Sequence, residues 1–571
     1  MLYPQRNKYR QFIELSGFWD FRFDINNKGL DENWKNGFNN SRPIAVPASW
    51  NDQFAEGRDN LGPGWYQKSF SVPCGWEEHR IILRFGSVNY LAEIWLNGEW
   101  IGKHEGGHLP FEFDIGSFIK PHKNILVIRV EGNLSKAQVP PGKVRLNYPS
   151  TNFDFFPFCG IHRPVLLYSV PNYGIDDITV TTSIEGNNGC IFVNLSLNGE
   201  KEVEIHLLLK NKKNNVLEKR FITNRTGRFE LTVNNALFWD PTQPNLYDLD
   251  INLLYNEKTY DSYTIPIGIR TITVEGDKLL LNGKPIVLKG FGRHEDFPIT
   301  GRGYVPAVII KDYSLMKWIG ANSFRTSHYP YSEQMMDLAD RLGFLIIDEI
   351  PAVGLTFEKR YLDHHLELCQ QYVKELITRD KNHPSVIMWS LANEPHSSLK
   401  SKEFFQALYD KTKELDGTRP ITVVNMMGVK ERAFEFCDIL CLNRYYGWYT
   451  EQGRIQEGCE ILSNELDKLY KKYQKPIILT EFGADAIPGW HAQPIEMFSE
   501  EYQVELLKSY IEVLNEKQFV VGQHIWNLCD FKTSQEVIRM GSMNYKGVFT
   551  RDRRPKMAAH LLHRLWKGEE K

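Results

Sequence analysis

The sequence predicts two antiparallel β-sandwiches followed by a (β/α)8 barrel, and three observations carry that prediction. Up to about residue 267 the chain consists of short alternating runs punctuated by Gly, Pro and Asn. Beyond it, eight apolar runs alternate with stretches of helical period. No glycine-rich phosphate turn follows the first of those eight runs, which disfavours a doubly wound sheet and leaves the barrel. The domains expected are 1–172, 173–266 and 267–571.

In the first segment, 80–85, 92–96 and 124–130 read as strands, and Asn97-Gly98 is the strongest short hairpin signal. In the second, of immunoglobulin size, strands are expected at 178–182, 191–197, 203–209 and 249–254. The barrel strands are expected at 286–290, 322–326, 344–347, 386–391, 421–425, 439–443, 476–480 and 520–526. Between them, Ile309/Tyr313/Met316/Ile319, Leu362/Leu366/Cys369/Val373/Leu376 and Leu462/Leu466/Leu469/Tyr473 fall at helical spacing. So do Val504/Leu507/Ile511/Leu514 and Met557/Leu561/Leu565. Gly320, Gly343 and Gly417 stand where helices should end in a left-handed residue.

Composition narrows the function. Lys plus Arg is 68 against 71 Asp plus Glu, a net charge of −3, which excludes the basic excess of a nucleic-acid or anionic-membrane binder. With 24% charged and 42% hydrophobic residues, the chain is globular rather than disordered. The 14 Trp suit a large core or sugar-facing surfaces equally well. Eight scattered cysteines form no CxxC, and the N-terminus carries no apolar leader. Reduced thiols, no membrane span and a cytoplasmic location are expected.

Barrel chemistry sits at the carboxyl ends of the strands. Here the strands end in Arg293-His294-Glu295-Asp296, Arg325-Thr326-Ser327-His328, Asp348-Glu349, Asn393-Glu394, Asn443-Arg444-Tyr445, Glu481 and Trp526-Asn527. Apolar strands that empty into acids, imidazoles, amides and aromatics describe a polar catalytic mouth. Two carboxylates stand out, Glu394 on the fourth strand and Glu481 on the seventh. Glycoside cleavage needs one carboxylic acid to protonate the leaving oxygen and a second carboxylate to attack the sugar or activate water. His294 and His328 lie in no metal-ligand spacing, so they are expected as hydrogen-bonding pocket residues, with no metal and no cofactor.

The flanking motifs carry a resemblance. Val46-Pro47-Ala48-Ser49-Trp50-Asn51, Gly160-Ile161-His162-Arg163, Arg325-Thr326-Ser327-His328-Tyr329-Pro330, Asn393-Glu394-Pro395, Asn443 to Tyr449 and Thr480-Glu481-Phe482-Gly483 together resemble glycoside hydrolase family 2 over essentially the whole chain, and within it the β-glucuronidases. The resemblance implies a jelly-roll first sandwich, an immunoglobulin-like second one and a TIM barrel. It implies Glu394 as acid/base and Glu481 as nucleophile in a retaining mechanism, with Asn393 on the sugar 2-hydroxyl and Tyr449 beside the nucleophile. Asn443 and Tyr445 belong to the same matched run. Asp154 matches a sugar-contacting aspartate, and Trp526 an aromatic platform under the sugar.

Asn544-Tyr545-Lys546 matches the pair that separates glucuronidases from relatives acting on neutral sugars, with Arg539 a further candidate. An ammonium beside an amide donor makes charge-assisted bonds to a C6 carboxylate. The expected substrate is a glucuronide or a glucuronide-ended oligosaccharide, and the expected assembly a homo-oligomer, often a tetramer in this family. Two alternatives stand beside it: a family-2 exo-glycosidase for a neutral sugar such as a β-galactoside, and a non-catalytic carbohydrate-binding protein. The chain departs from the family pattern at 352–359, which runs almost directly into a helix where many gut bacterial relatives carry a longer loop, and at 539–544, which is one residue longer. An open mouth that admits bulky aglycones is therefore expected, without an appended carbohydrate-binding domain.

Overall fold

A computed structural model describes residues 1–132, 134–145, 148–199, 202–212, 214–223 and 225–568. The first sandwich packs a four-stranded sheet (Gln11–Glu14, Val165–Pro171, His79–Phe85, Phe111–Asp114) on a six-stranded one. The latter runs Arg42–Val46, Gly17–Phe23, Gly64–Phe70, Asn124–Glu131, Leu91–Leu96 and Glu99–Glu105. Leu126, Ile128 and Val130 alternate into the core, while Val127 on the opposite face is covered by Trp34, Phe38, Trp65 and Trp95. That second aromatic layer buries a strand which would otherwise face water on one side. At the predicted hairpin Asn97 and Gly98 take φ of 56° and 87°, the left-handed pair its two-residue turn demands.

The second sandwich sets Gly174–Glu185, Asn188–Asn198 and Thr226–Val233 against a four-stranded sheet of Asn214–Thr223, Val203–Asn211, Tyr247–Tyr255 and Lys258–Ile267. Val203, Ile205, Leu207 and Leu209 point into its core with strict period two.

Eight parallel strands then close a barrel. They are Leu288–Gly292, Ser323–Arg325, Leu345–Glu349, Val386–Asn393, Ile421–Asn425, Leu440–Asn443, Ile477–Glu481 and Val520–Ile525. Helices Glu333–Leu342 and Leu399–Leu415 join the five expected ones. Gly320 and Gly343 end their helices in the left-handed region, as predicted. Gly417 does not. The helix before it stops at Asp416 in extended backbone, whose carboxylate accepts from the Thr418 amide (2.8 Å), Arg419 (2.6 Å) and the Trp389 indole (2.9 Å). The Thr418 hydroxyl donates to it as well (2.6 Å), so the turn after the helix is held by this side chain and no left-handed glycine is needed. No helix among the described residues is long and apolar enough to cross a membrane.

The excursion after the first barrel strand clips the first sandwich to the barrel. The Ser49 amide donates to Thr300 O and the Tyr304 amide to His162 O, at 3.0 and 2.8 Å. Arg163 spans the seam to Glu295 (3.0 Å) and Pro330 O (2.7 Å). These contacts carry the 151–158 segment of the sandwich to the barrel mouth, where the Phe156 amide meets Lys532 O at 2.9 Å.

Gly343 also ties the barrel to the preceding domain: a Cβ there would lie 2.4 Å from Pro241 O, at a φ of 75°. Gly568 has a similar φ of 73° and open space around it. Left-handed backbone alone costs a residue with a Cβ about 1–2 kcal/mol. Gly343→Ala should therefore lower the thermal midpoint clearly more than Gly568→Ala in calorimetry, and equal losses would show that the Pro241 segment yields freely.

Candidate active site

A cavity of about 680 Å³ opens at the carboxyl ends of the barrel strands. Asp154, His328, Asn393, Glu394 and Asn443 line it, as do Tyr445, Tyr449, Glu481, Trp526 and Arg539. Glu394 follows the end of the fourth strand with φ of 49°, unusual for a residue with a Cβ, and its amide is fixed to Val424 O at 2.9 Å. Asn443 at the end of the sixth strand donates to Asn393 Oδ1 (3.0 Å) and Glu394 Oε1 (2.8 Å), while its own Oδ1 accepts from Thr480 at 2.9 Å. One amide thus sets the orientation of two neighbouring side chains.

Glu481 stands among donors. Arg325, fully buried, bonds both oxygens of Glu349 (2.9 and 2.7 Å) through Nη1 and Glu481 Oε1 through Nη2. The Tyr445 hydroxyl donates to Glu481 Oε2 at 2.7 Å, and His328 Nε2 lies 3.5 Å from Oε1. Burial pushes the Glu481 carboxyl up to about 8, with Glu394 adding to the rise and Arg325 and Tyr445 opposing it. Burial also raises Glu394, against only the Asn443 amide and more distant guanidinium charges. Arg325 and Tyr445 donate to Glu481 and favour its charged form, whereas Glu394 accepts from the neutral Asn443 amide. Burial draws His328 down to about 4 despite Glu349, so its imidazole is neutral.

Across the cavity lies a second charged cluster. Arg539 meets Asp154 bidentately (2.7 and 2.9 Å), and Asn544 Nδ2 donates to the same carboxylate at 2.6 Å. Lys546, fully buried, bonds Asp485 and the Tyr449 oxygen, the latter at 2.9 Å. Arg539 Nη2 donates to that same oxygen at 2.7 Å. Burial works against charge on Lys546, but Asp485 holds its ammonium above the ordinary value. Counting hydrogens, the ammonium keeps a third N–H, and the Tyr449 hydroxyl, already accepting twice, keeps its proton to donate. Fixed N–H and O–H donors of this kind have the chemistry to hold a carboxylate.

The structure adds three placements to the sequence reading. Tyr445, not Tyr449, is bonded to Glu481; Tyr449 belongs to the Lys546–Arg539 cluster. His294 does not line the cavity. It lies behind it, with Nδ1 3.1 Å from the Tyr329 hydroxyl and its ring edge-on to Trp526 at 5.3 Å, and burial pushes it well below its ordinary value. Asn544 and Lys546 sit behind the cavity wall rather than on its surface, 0% and 1% exposed. Trp526 stacks on His328 with ring centroids 4.9 Å apart. Arg325, Glu349 and Asp485 went unassigned; their strand-end positions were visible, their partners were not. The 352–359 segment bridges the rim and the first sandwich: the Gly354 amide donates to Asn393 O (2.9 Å), Lys136 of the sandwich donates to Glu358 (2.7 Å), and Val353 lines the cavity. Among the described residues, one His/Asp group has metal-like proximity, Asp337, Asp340 and His383, away from this cavity.

Known protein families match the chain in three consecutive pieces: the glycosyl hydrolase family 2 sugar-binding domain over residues 12–171, a glycosyl hydrolase family 2 domain over 174–270, and the family 2 TIM barrel domain over 272–569. The chain belongs to glycoside hydrolase family 2. Its similarity to the β-glucuronidase of Paenibacillus borealis is 41% identity, covering 99% of this chain and 98% of that one. The mouse β-glucuronidase is 40% identical over 99% of this chain and 92% of its own. Among solved family 2 structures, the β-glucuronidase of an uncultured Clostridium superposes with a TM-score of 0.95 at 40% identity, covering all of both chains. A Ruminococcus gnavus β-glucuronidase solved with D-glucuronic acid gives 0.94 at 38% identity, covering 99% of each.

A hydrogen bond to the charged form stabilises it, so Tyr445→Phe should push the Glu481 carboxyl further upward. One lost bond of about 1.4 kcal/mol corresponds to roughly one pH unit. The acid limb of the pH–activity profile should move to higher pH by about that much, and an unmoved limb would separate Tyr445 from Glu481.

Proposed function

We propose that this glycoside hydrolase is a retaining, exo-acting β-glucuronidase that releases glucuronic acid from β-D-glucuronides. The observation that carries the reading is the pairing of two unequal carboxyls on one side of the cavity with the buried Lys546–Asn544–Arg539 cluster on the other. Glu394 protonates the leaving oxygen, and the Glu481 carboxylate attacks the anomeric carbon to form a glycosyl-enzyme ester. Glu394, now ionised, takes a proton from water, which hydrolyses the ester and restores both groups. Arg325 and Tyr445 hold the attacking carboxylate and receive its charge again when the ester breaks. In this reading Asn393, oriented by Asn443, takes the sugar 2-hydroxyl, Trp526 the ring and Asp154 a further hydroxyl, as the family resemblance implies.

A glucuronate carboxylate entering this cavity loses hydration that fixed donors must replace. Lys546 and the Tyr449 hydroxyl have hydrogens to give, with Asn544 and Arg539 alongside. The short 352–359 segment, which runs almost directly into the following helix, supports access for bulky aglycones and glucuronide-ended oligosaccharides. Eight free cysteines, seven of them buried, suit a reducing, cytoplasmic setting. A homo-oligomer is the assembly proposed, on family resemblance.

The test is kcat/KM for matched nitrophenyl glucuronide and galactoside in Lys546→Ala and Asn544→Ala. A hydrogen bond to a charged group is worth roughly 1.5–3 kcal/mol, so the glucuronide should fall at least about ten- to a hundredfold while the galactoside barely changes. Equal losses on both would make the pair structural and remove the main support for the glucuronidase reading.

The two carboxyls are separated by leaving group. Glu481→Gln should fold normally and lose several powers of ten in turnover on every substrate. Glu394→Ala should spare activated aryl glucuronides in the first step and hurt alkyl glucuronides most. A loss independent of leaving-group pKa would remove Glu394 from the acid role.

A further inference from the structure

Where the first sandwich meets the barrel, a second cavity of about 20 Å³ is lined by Arg163, Arg293, Arg302, Glu295 and Asp296, among others. Its charges do not balance. Glu295 is taken by Arg163 at 3.0 Å and the Ser332 amide at 3.1 Å. Asp296 is taken by Arg551 at 2.6 Å and the Lys532 amide at 2.7 Å. Arg293 is paired with Asp312 at 2.7 Å. Arg302, only 3% exposed, has no carboxylate within ion-pair distance among the described residues. Its Nε and Arg293 Nη1 are buried donors without an acceptor among those residues. The rings of Tyr329 and Phe155 flank the Arg302 guanidinium at 4.4 and 5.5 Å. They offset part of its desolvation but offer no acceptor in its plane.

We propose that this cavity binds one small monovalent anion of the halide class, with Arg302 and Arg293 as its donors. A water molecule accepting from the same N–H groups would satisfy their hydrogen bonds and leave the Arg302 charge uncompensated, the costly condition for a buried ion. The volume exceeds the roughly 10–15 Å³ that one water requires. The ion's place gives it a structural role. The Arg302 amide donates to Ser49 Oγ at 3.1 Å, across the seam, and Tyr329 stacks on His108 of the sandwich at 4.4 Å. A halide bound here fastens the sandwich to the barrel beneath the active site.

Crystals of the full chain grown in bromide, measured at the bromine edge, should give an anomalous peak in this cavity. In solution, wild type at an ionic strength of about 0.15 M should melt about 2 °C or more higher in sodium chloride or bromide than in sodium gluconate. Arg302→Met should abolish that difference. Should the variant fail to fold, the peak and the wild-type shift still decide. A cavity without anomalous signal, or equal melting in halide and gluconate, would assign it to water and overturn the proposal.

Discussion

The buried Arg325 guanidinium, shared between Glu349 and Glu481, is the contact around which the rest of the site is arranged. Arg325 and Glu349 have no side-chain exposure, and Glu481 has 5%. Ion pairs so deeply buried recover their desolvation only when geometry is good and the remaining hydrogen bonds are made. Here Glu349 is completed by His328 (3.0 Å) and Ser390 (2.7 Å), and Glu481 by Tyr445. These partners come from the second, third, fourth and seventh strands and the end of the sixth, so the barrel must be closed before the charges can be satisfied. Apolar side chains of similar volume would serve stability as well. A fixed positive charge at the base of a carboxylate is useful to a reaction that moves negative charge onto and off that carboxylate.

The opposite wall obeys the same logic with the signs exchanged. Lys546 is held charged by Asp485, and Arg539 by Asp154, although burial opposes both charges. Donors oriented before a ligand arrives need no reorganisation when it binds. Asp154 reaches this wall only because the first sandwich is clipped to the barrel through Ser49, His162 and Arg163. Two domains therefore build one cavity, and a contact away from it, such as Tyr304 on His162, helps set where Asp154 stands.

Periodicity and turn chemistry determined the domain classes, because those signals are local. Alternation along 203–209, the left-handed Asn97-Gly98 turn and the apolar runs of the barrel strands follow from short-range sterics and from which face must be buried. The positions of Glu394 and Glu481 at strand ends were legible for the same reason: a barrel presents the ends of its strands at one mouth. Helices Glu333–Leu342 and Leu399–Leu415 carry no stripe that the periodicity reading singles out, and Gly417 ends no helix in the left-handed region because the chain turns to extended backbone at Asp416, whose side chain holds the next turn.

Tertiary structure alone decided which neighbours meet. Tyr445 and Tyr449 are four residues apart in one motif, and only the path of the chain after the sixth strand turns one hydroxyl to Glu481 and the other to Lys546. His294 ends a strand as His328 does, yet Phe155, Trp526 and Phe531 enclose it and hold it off the cavity. Asp485 as the counter-charge of Lys546, 61 residues away in sequence, has no local signature at all. The sequence by itself determined the element types and the inventory of reactive groups, because propensity and spacing act over a few residues. Partner choice, burial and the resulting charge states are set by contacts between distant segments, and those exist only once the three domains have packed together.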